Sequence, residues 1–185
     1  MSAKVNVLCE GTIRRDGKVV LEAHSSSTLV RTKQHVIVVD TSSTANRPKI
    51  LASLERLAVP PEDVDILVIT HDHHDHCENN DLFTKAKAIL FDSEPEQEDE
   101  ESRIDASARL VRTPGHTPGS VSVFVESDRK YAIVGDALPI LDNYLKWVPP
   151  GLNYDPEKAL RSMRRIVDWA DVVVPGHGAP FEIRR

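Results

Sequence analysis

The sequence predicts an α/β domain in which two β-sheets pack together under a cover of helices, and three observations predict it. Short runs rich in Val and Ile, bounded by Gly or Pro and too short for helices, recur along the chain. Amphipathic segments with helical spacing separate the later runs but not the earliest ones. No linker divides the chain, and 185 residues is an ordinary size for one domain, here residues 1–185. Strands first, then strands mixed with helices, is the order expected of two packed sheets flanked by helices.

The elements follow in order. Residues 5–8, 19–23 and 27–31 read as a strand meander, with turns at Arg15-Asp16-Gly17 and around Ser25. Residues 35–39 form a buried strand that runs into Asp40. A helix is expected over 48–57, with Ile50, Leu51, Leu54 and Leu57 inward and Lys49, Glu55 and Arg56 outward. Residues 65–69 form the next strand, and a weaker helix is expected over 80–88. Strands over 108–112 and 131–134 lead through Thr113-Pro114-Gly115 to His116 and through Gly135 to Asp136. Asp155-Pro156 is a helix start, a capping carboxylate followed by proline at the first helical position. Ala159, Met163, Ile166 and Trp169 make that helix's apolar stripe. A last strand over 171–174 leads through Pro175-Gly176 to His177.

Composition narrows the function classes. Hydrophobic residues make up 40 % of the chain and charged residues 28 %, the balance of a soluble globular protein. A net charge of −6 argues against coating nucleic acid or an anionic membrane. Cys9 and Cys77 are too few for a disulfide framework. The first residues hold no apolar run long enough for a signal peptide, and no transmembrane stretch follows, so the expected location is the cytoplasm. The acidic run at 93–102 reads as a solvated loop or frayed helix, with an acidic lip over the site as the alternative.

The chemistry concentrates in Thr70-His71-Asp72-His73-His74-Asp75-His76, which packs four histidines and two aspartates behind a buried strand. Imidazole and carboxylate are the ligands zinc takes when no thiolate is offered. His71 and His73 can share a metal only on a looped or extended backbone. Asp75 and His76, adjacent and diverging, suit a second metal. A zinc site needs three or four protein ligands, so His116 and His177 are the natural third histidines and Asp136 the natural bridging carboxylate. Two metals about 3.5–4 Å apart can share a hydroxide and polarise the bond it attacks.

These residues resemble the metallo-β-lactamase superfamily. His71-Asp72-His73-His74-Asp75-His76 is similar to its His-x-His-x-Asp-His signature, and Asp40, His116, Asp136 in Val-Gly-Asp-Ala and His177 in Pro-Gly-His-Gly match its other motifs in order. The resemblance implies a four-layer αβ/βα sandwich of two mixed β-sheets flanked by helices, with metals at one edge. It implies one metal on His71, His73 and His116, another on Asp75, His76 and His177, and a bridge at Asp136. Asp40 would orient a ligand from behind. Asp75, Asp136 and Asp40 are thus the carboxylates expected to serve catalysis, and two Zn2+ per chain the expected cofactor, with iron or manganese as alternatives. Asp72 and His74 fall at the signature's variable positions, and Cys77 reads as a buried free thiol. The layout most resembles the metallo-β-lactamase domain-containing protein 1 group. The chain ends soon after His177, which leaves no room for the C-terminal helical domain of glyoxalase II proteins.

The expected activity is binuclear zinc hydrolysis of a small ester, thioester, lactone or similar bond. An iron-dependent persulfide dioxygenase and a phosphodiesterase or nuclease are the alternatives. A flavodiiron-type reductase fits less well, because it would carry a glutamate where His73 stands. The expected partner is a small-molecule substrate. Tyr144 and Trp147, in the long apolar connection over 137–150, are expected to form one wall of its pocket. The alternative places Leu141, Tyr144 and Trp147 in the core or in a subunit interface such as that of a homodimer.

Overall fold

Apolar residues alternate on strands that are buried on both faces, and this sets the architecture. The computed structural model describes residues 2–17, 19–97 and 100–184. In its first part, strand β1 (Lys4–Cys9) is followed by β2 (Thr12–Asp16), β3 (Val19–His24), β4 (Ser27–Arg31) and β5 (Val36–Val39). Helix α1 (Arg47–Arg56), β6 (Ile66–Val68), the single turn α2 (His74–Cys77) and β7 (Lys87–Ile89) complete it. The second part runs β8 (Glu101–Arg103), β9 (Ala108–Arg112), β10 (Val121–Glu126), β11 (Lys130–Gly135), α3 (Leu141–Lys146), α4 (Pro156–Trp169), β12 (Val172–Pro175) and β13 (Phe181–Glu182).

One sheet has the order β1-β4-β5-β6-β7, the other β13-β12-β11-β10-β9-β8, and β2 and β3 pair as a separate hairpin. Both large sheets are mixed: β5, β6 and β7 run parallel to one another, as do β11 and β12, and the remaining pairs are antiparallel. Val30, Ile37, Val39 and Val68 of the first sheet meet Val121, Val123, Ile133 and Val174 of the second in one buried cluster. On the first sheet's other face, Leu29, Val38 and Leu67 pack on Ile50 and Leu54 of α1. On the second sheet's outer face, Phe124, Ala132, Val134 and Val173 pack on Met163 and Ile166 of α4. Helix, sheet, sheet and helix are the four expected layers.

The long helix forms as its sequence requires. Asp155 accepts from the backbone N–H groups of Glu157 and Lys158 at 3.0 Å each, and Pro156 occupies the first helical position. Ala159, Met163 and Ile166 are buried along one face. In α1 the buried stripe is narrower than expected, because Leu51 is 40 % exposed.

Other expectations are corrected. Residues 80–88 are not a helix but a short 3-10 turn followed by β7. Buried Asn79 donates from Nδ2 to the carbonyls of Thr41 at 2.7 Å and Ser43 at 2.8 Å, which turns the chain there and returns it to the sheet beside β6. Strand β2, strand β10, central in its sheet, and edge strands β7, β8 and β13 are additional to the expected elements, as are the single turn α2 and α3 inside the 137–150 connection. Of the acidic run, residues 98 and 99 lie outside the described residues. Glu94 pairs with Lys158 at 2.7 Å, and Glu101 with Arg109 at 3.1 Å, so these carboxylates serve α4 and β9 rather than form a lip over the site.

Candidate metal centre

The parallel pairs β5/β6 and β11/β12 end on the same side of the sandwich, and the ligand-type residues follow those ends. Asp40 follows β5, the His71–His76 run follows β6, His116 lies beyond β9, Asp136 follows β11 and His177 follows β12. Two glycines permit the close approach. Gly135 has φ +50°, and a Cβ there would overlap Thr70; a Cβ on Gly176 would overlap Asp136 Oδ1.

Three imidazole nitrogens converge at one point. His71 Nε2 lies 3.0 Å from His73 Nδ1, and His116 Nε2 lies 3.2 and 3.1 Å from these two atoms. Ligands of a tetrahedral zinc, at about 2.0–2.1 Å from the ion, sit roughly 3.3 Å apart, so this triangle is close to one face of such a site. The hydrogen bonds behind it fix the protons. Thr70 Oγ1 donates to Asp40 Oδ2 at 2.7 Å and therefore accepts from His71 Nδ1 at 3.2 Å. His116 Nδ1 donates to the Leu152 carbonyl at 2.6 Å. Both Nε2 atoms consequently present lone pairs to each other, an arrangement that repels unless a cation lies between them.

A second set adjoins the first. His76 is fully buried and donates from Nδ1 to Asp40 Oδ2 at 2.7 Å, while its Nε2 has no hydrogen-bond partner. His177 donates from Nδ1 to the His24 carbonyl at 3.0 Å, and its Nε2 stands 3.6 Å from Asp75 Oδ2. Asp75 and His76, expected to diverge, bring Oδ2 and Nε2 to 3.8 Å of each other on the single turn α2. Asp136 spans the sets: Oδ1 is 3.3 Å from His177 Nε2 and 3.5 Å from His76 Nε2, and Oδ2 is 3.6 Å from His116 Nε2. Asp136 Oδ1, buried, also lacks a hydrogen-bond partner. Orphaned buried acceptors are costly, and bound cations would satisfy them. Among the described residues, His71/His73/His116, His71/His76/Asp136 and Asp75/His76/His177 are the groups whose ligand atoms lie within 4.8 Å of one another.

The two sets differ electrically. Burial, assisted by cationic neighbours, pushes His71 well below the usual imidazole range, and burial likewise lowers His116. Burial also opposes charge on His76, but the Asp40 and Asp136 carboxylates outweigh it and hold His76 well above that range. His177 is raised in the same way by Asp136. Burial disfavours the Asp136 anion, yet His177 and His76 keep its carboxyl well below the usual range.

All seven expected ligands and Asp40 are therefore brought together, while Asp72 and His74 are exposed. Cys77 is half-buried rather than buried, and its thiol donates to the His73 carbonyl at 3.4 Å. Tyr144 and Trp147 do not line the cleft above these ligands. Tyr144 stacks on Phe181 at 5.6 Å and Trp147 lies under the Arg164 guanidinium at 4.3 Å, both against the cluster that packs on α4. The cleft, about 120 Å³, instead has Ile13, Arg15, Val20 and Ala23 of the hairpin on one side and Pro139, Pro150, Gly151 and Leu152 on the other. The hairpin, Thr70 and the carbonyls of His24 and Leu152 are functional parts that sequence reasoning missed. The strand over 19–23 and the Arg15-Asp16-Gly17 turn, read as parts of a plain meander, marked the hairpin; its first strand and its place over the cleft did not show.

Comparison with known proteins agrees with this geometry. The sequence pattern of the metallo-beta-lactamase superfamily matches residues 22–103 and 88–177. A "probable metallo-hydrolase" of Methanocaldococcus jannaschii is 37 % identical over 180 residues, 94 % of this chain and 86 % of that protein. Metallo-beta-lactamase domain-containing protein 1 of Xenopus laevis is 33 % identical, covering 97 % of this chain and 81 % of its own length. A crystal structure from Thermotoga maritima, described as of metallo-beta-lactamase type, superposes with a TM-score of 0.79 at 20 % identity, over 98 % of this chain and all of that one. AidC, a dizinc quorum-quenching lactonase, shares the fold at a TM-score of 0.59 and 19 % identity, over 79 % of this chain and 68 % of its own. Fold, ligand order and relatives converge on one conclusion: this chain belongs to the metallo-beta-lactamase superfamily and is a metal-dependent hydrolase of that superfamily.

Proposed function

We propose that the protein is a binuclear zinc hydrolase that cleaves a small ester, thioester or lactone. The observation that carries this reading is the pair of lone-pair nitrogens on His71 and His116, 3.2 Å apart, joined through Asp136 to a second buried set with its own orphaned atoms. Both sets are built for cations, and they share one carboxylate. His71, His73 and His116 would hold one ion and Asp75, His76 and His177 the other, with Asp136 within reach of both sets. Two divalent cations held there supply a lowered pKa for water and polarisation of a carbonyl.

The chain's own groups do the rest. Asp40 and Thr70 fix the tautomers of His76 and His71, so that each ring, when neutral, has its lone pair on Nε2. Asp75 faces the cleft and is placed to take a proton from the attacking water and return it to the leaving group. Ile13, Val20, Ala23, Pro139, Pro150 and Leu152 give the cleft above the ligands apolar walls. The dizinc lactonase AidC, of the same fold, supports zinc as the metal and a lactone among the substrate classes. A polyanionic substrate fits less well, since among the described cleft-lining residues Arg15 is the one side chain that is permanently cationic.

Metal analysis of zinc-loaded protein is the first test, with two ions per chain expected. His116→Ala and His177→Ala are each expected to lose one ion, and a saturating stoichiometry of one in the parent chain would overturn the binuclear reading. A panel of esters, thioesters, lactones, phosphodiesters and β-lactams then ranks the substrate classes. Turnover confined to phosphodiesters would overturn the substrate class.

A further inference from the structure

The hairpin that roofs the cleft has an apolar face carrying one cation. Arg14 turns away from the cleft and pairs with Glu22 at 3.5 Å. Its neighbour Arg15 lies on the cleft face, is exposed, and makes no ion pair among the described residues. Pairing passes from Arg14↔Glu22 to Arg15↔Val20, which leaves Leu21 as an extra residue on β3. That bulge matters, because Val20 and Ala23 are three positions apart and on a regular strand would face opposite ways. The extra residue turns both inward, beside Arg15 and Ile13. The guanidinium reaches across to the opposite wall, where a Cβ on Gly151 would come within 2.9 Å of its Nη1. Arg15 thus bridges the mouth of the cleft whose floor is His73, His116 and Asp136.

We propose that Arg15 is a specificity-determining residue that binds a carboxylate on the substrate, distal to the bond being cleaved. The inference rests on the hydrolase reading above and names its substrate class: an acyl ester, thioester or lactone with an apolar spacer and one terminal carboxylate. The spacer packs on Ile13, Val20 and Leu152. The carboxylate takes the two-pronged hydrogen bond that a guanidinium offers. One cation in so small a cleft matches a monoanion rather than a phosphate dianion, which would want several positive groups. On a chain of net charge −6, a local cation is also what draws an anion to this edge.

Two measurements on the zinc-loaded protein test this. The first compares kcat/KM for 4-nitrophenyl hydrogen glutarate with that for 4-nitrophenyl butyrate, in the parent chain and in Arg15→Gln and Arg15→Lys. The parent prefers the carboxylate ester, and Arg15→Gln lowers that preference by about 10- to 100-fold, mainly through KM, as loss of a charge-assisted bond implies. Arg15→Lys restores part of it. The second needs no turnover: calorimetric binding of glutarate against butyrate, each of which has one carboxylate for the metals. Glutarate binds the parent more tightly by about tenfold or more, and the advantage disappears in Arg15→Gln. Equal binding of the two acids by the parent, or an advantage that survives Arg15→Gln, overturns the proposal. If neither ester is hydrolysed but the glutarate advantage exists and depends on Arg15, carboxylate recognition stands and the simple-ester reading of the activity fails.

Discussion

Asp40 is the least exposed carboxylate of the centre, at 3 %, and it meets His76 at Nδ1 rather than at the Nε2 that faces Asp136. Its two oxygens accept three hydrogen bonds at 2.7 Å, from Thr70 N, Thr70 Oγ1 and His76 Nδ1. Its backbone sits at φ +54°, a left-handed conformation that Asp and Asn tolerate better than other side chains. Asp40→Ala leaves three buried donors without an acceptor, at about 1.5 kcal/mol each. The left-handed backbone adds about 1 kcal/mol for alanine. The sum, about 5.5 kcal/mol, is a large share of the stability of an ordinary domain. At about 2–4 °C per kcal/mol for a chain of this length, Tm should fall by roughly 10–20 °C. The loss also frees both histidine tautomers, so zinc affinity should fall by about 10–100-fold. Circular-dichroism melts in chelator and in zinc, with competition against a chromophoric chelator, read both effects. Asp40→Asn keeps the backbone preference but cannot accept all three bonds, and should lie between. A chelated Asp40→Ala protein melting within about 3 °C of the parent, less than the shift assigned to one of these bonds, would refute the reasoning.

Asp136→Ala should lower turnover of the best panel substrate by at least about a thousandfold, because the carboxylate shared between the two sets is lost; near-parental turnover would rule out the bridge. Acidification should release the two ions in order. The raised pKa values of His76 and His177 mean that protons compete for those rings from higher pH, whereas the lowered His71 and His116 stay neutral, and able to ligate, at more acid pH. Zinc content measured after dialysis between pH 8 and pH 5.5 should therefore pass through a plateau of one ion per chain, and simultaneous loss of both would contradict the assignment.

The candidate ligands were legible in the sequence because each is announced locally. A buried strand ending in His, Asp or Gly-His is readable within ten residues, and five such endings mark one edge. Helix α4 was equally legible from Asp155-Pro156 and the spacing of Ala159, Met163 and Ile166. The failures share a different cause. The 80–88 segment has weak helical spacing, and its fate is decided by Asn79 hydrogen bonds to a loop more than 30 residues earlier. Tyr144 and Trp147 looked like a pocket wall because their loop leaves Asp136. The wall opposite is a hairpin more than 100 residues away in sequence, and Tyr144 and Trp147 have Phe181 and Arg164 to pack on instead. Local signals carry no information about such docking.

Each sheet comes from one uninterrupted stretch of chain, residues 4–89 for the first and 101–182 for the second. No strand pair joins the two stretches, so the loop closures of each sheet lie within its own stretch. The His71–His76 run belongs to the earlier stretch, whereas His116, Asp136 and His177 belong to the later one, so neither alone holds a complete ligand set. A metal ion can be captured only once the two halves have met. On the binuclear reading the metal is therefore a lock on a finished assembly rather than a seed for it, and its main kinetic effect falls on how slowly the halves come apart.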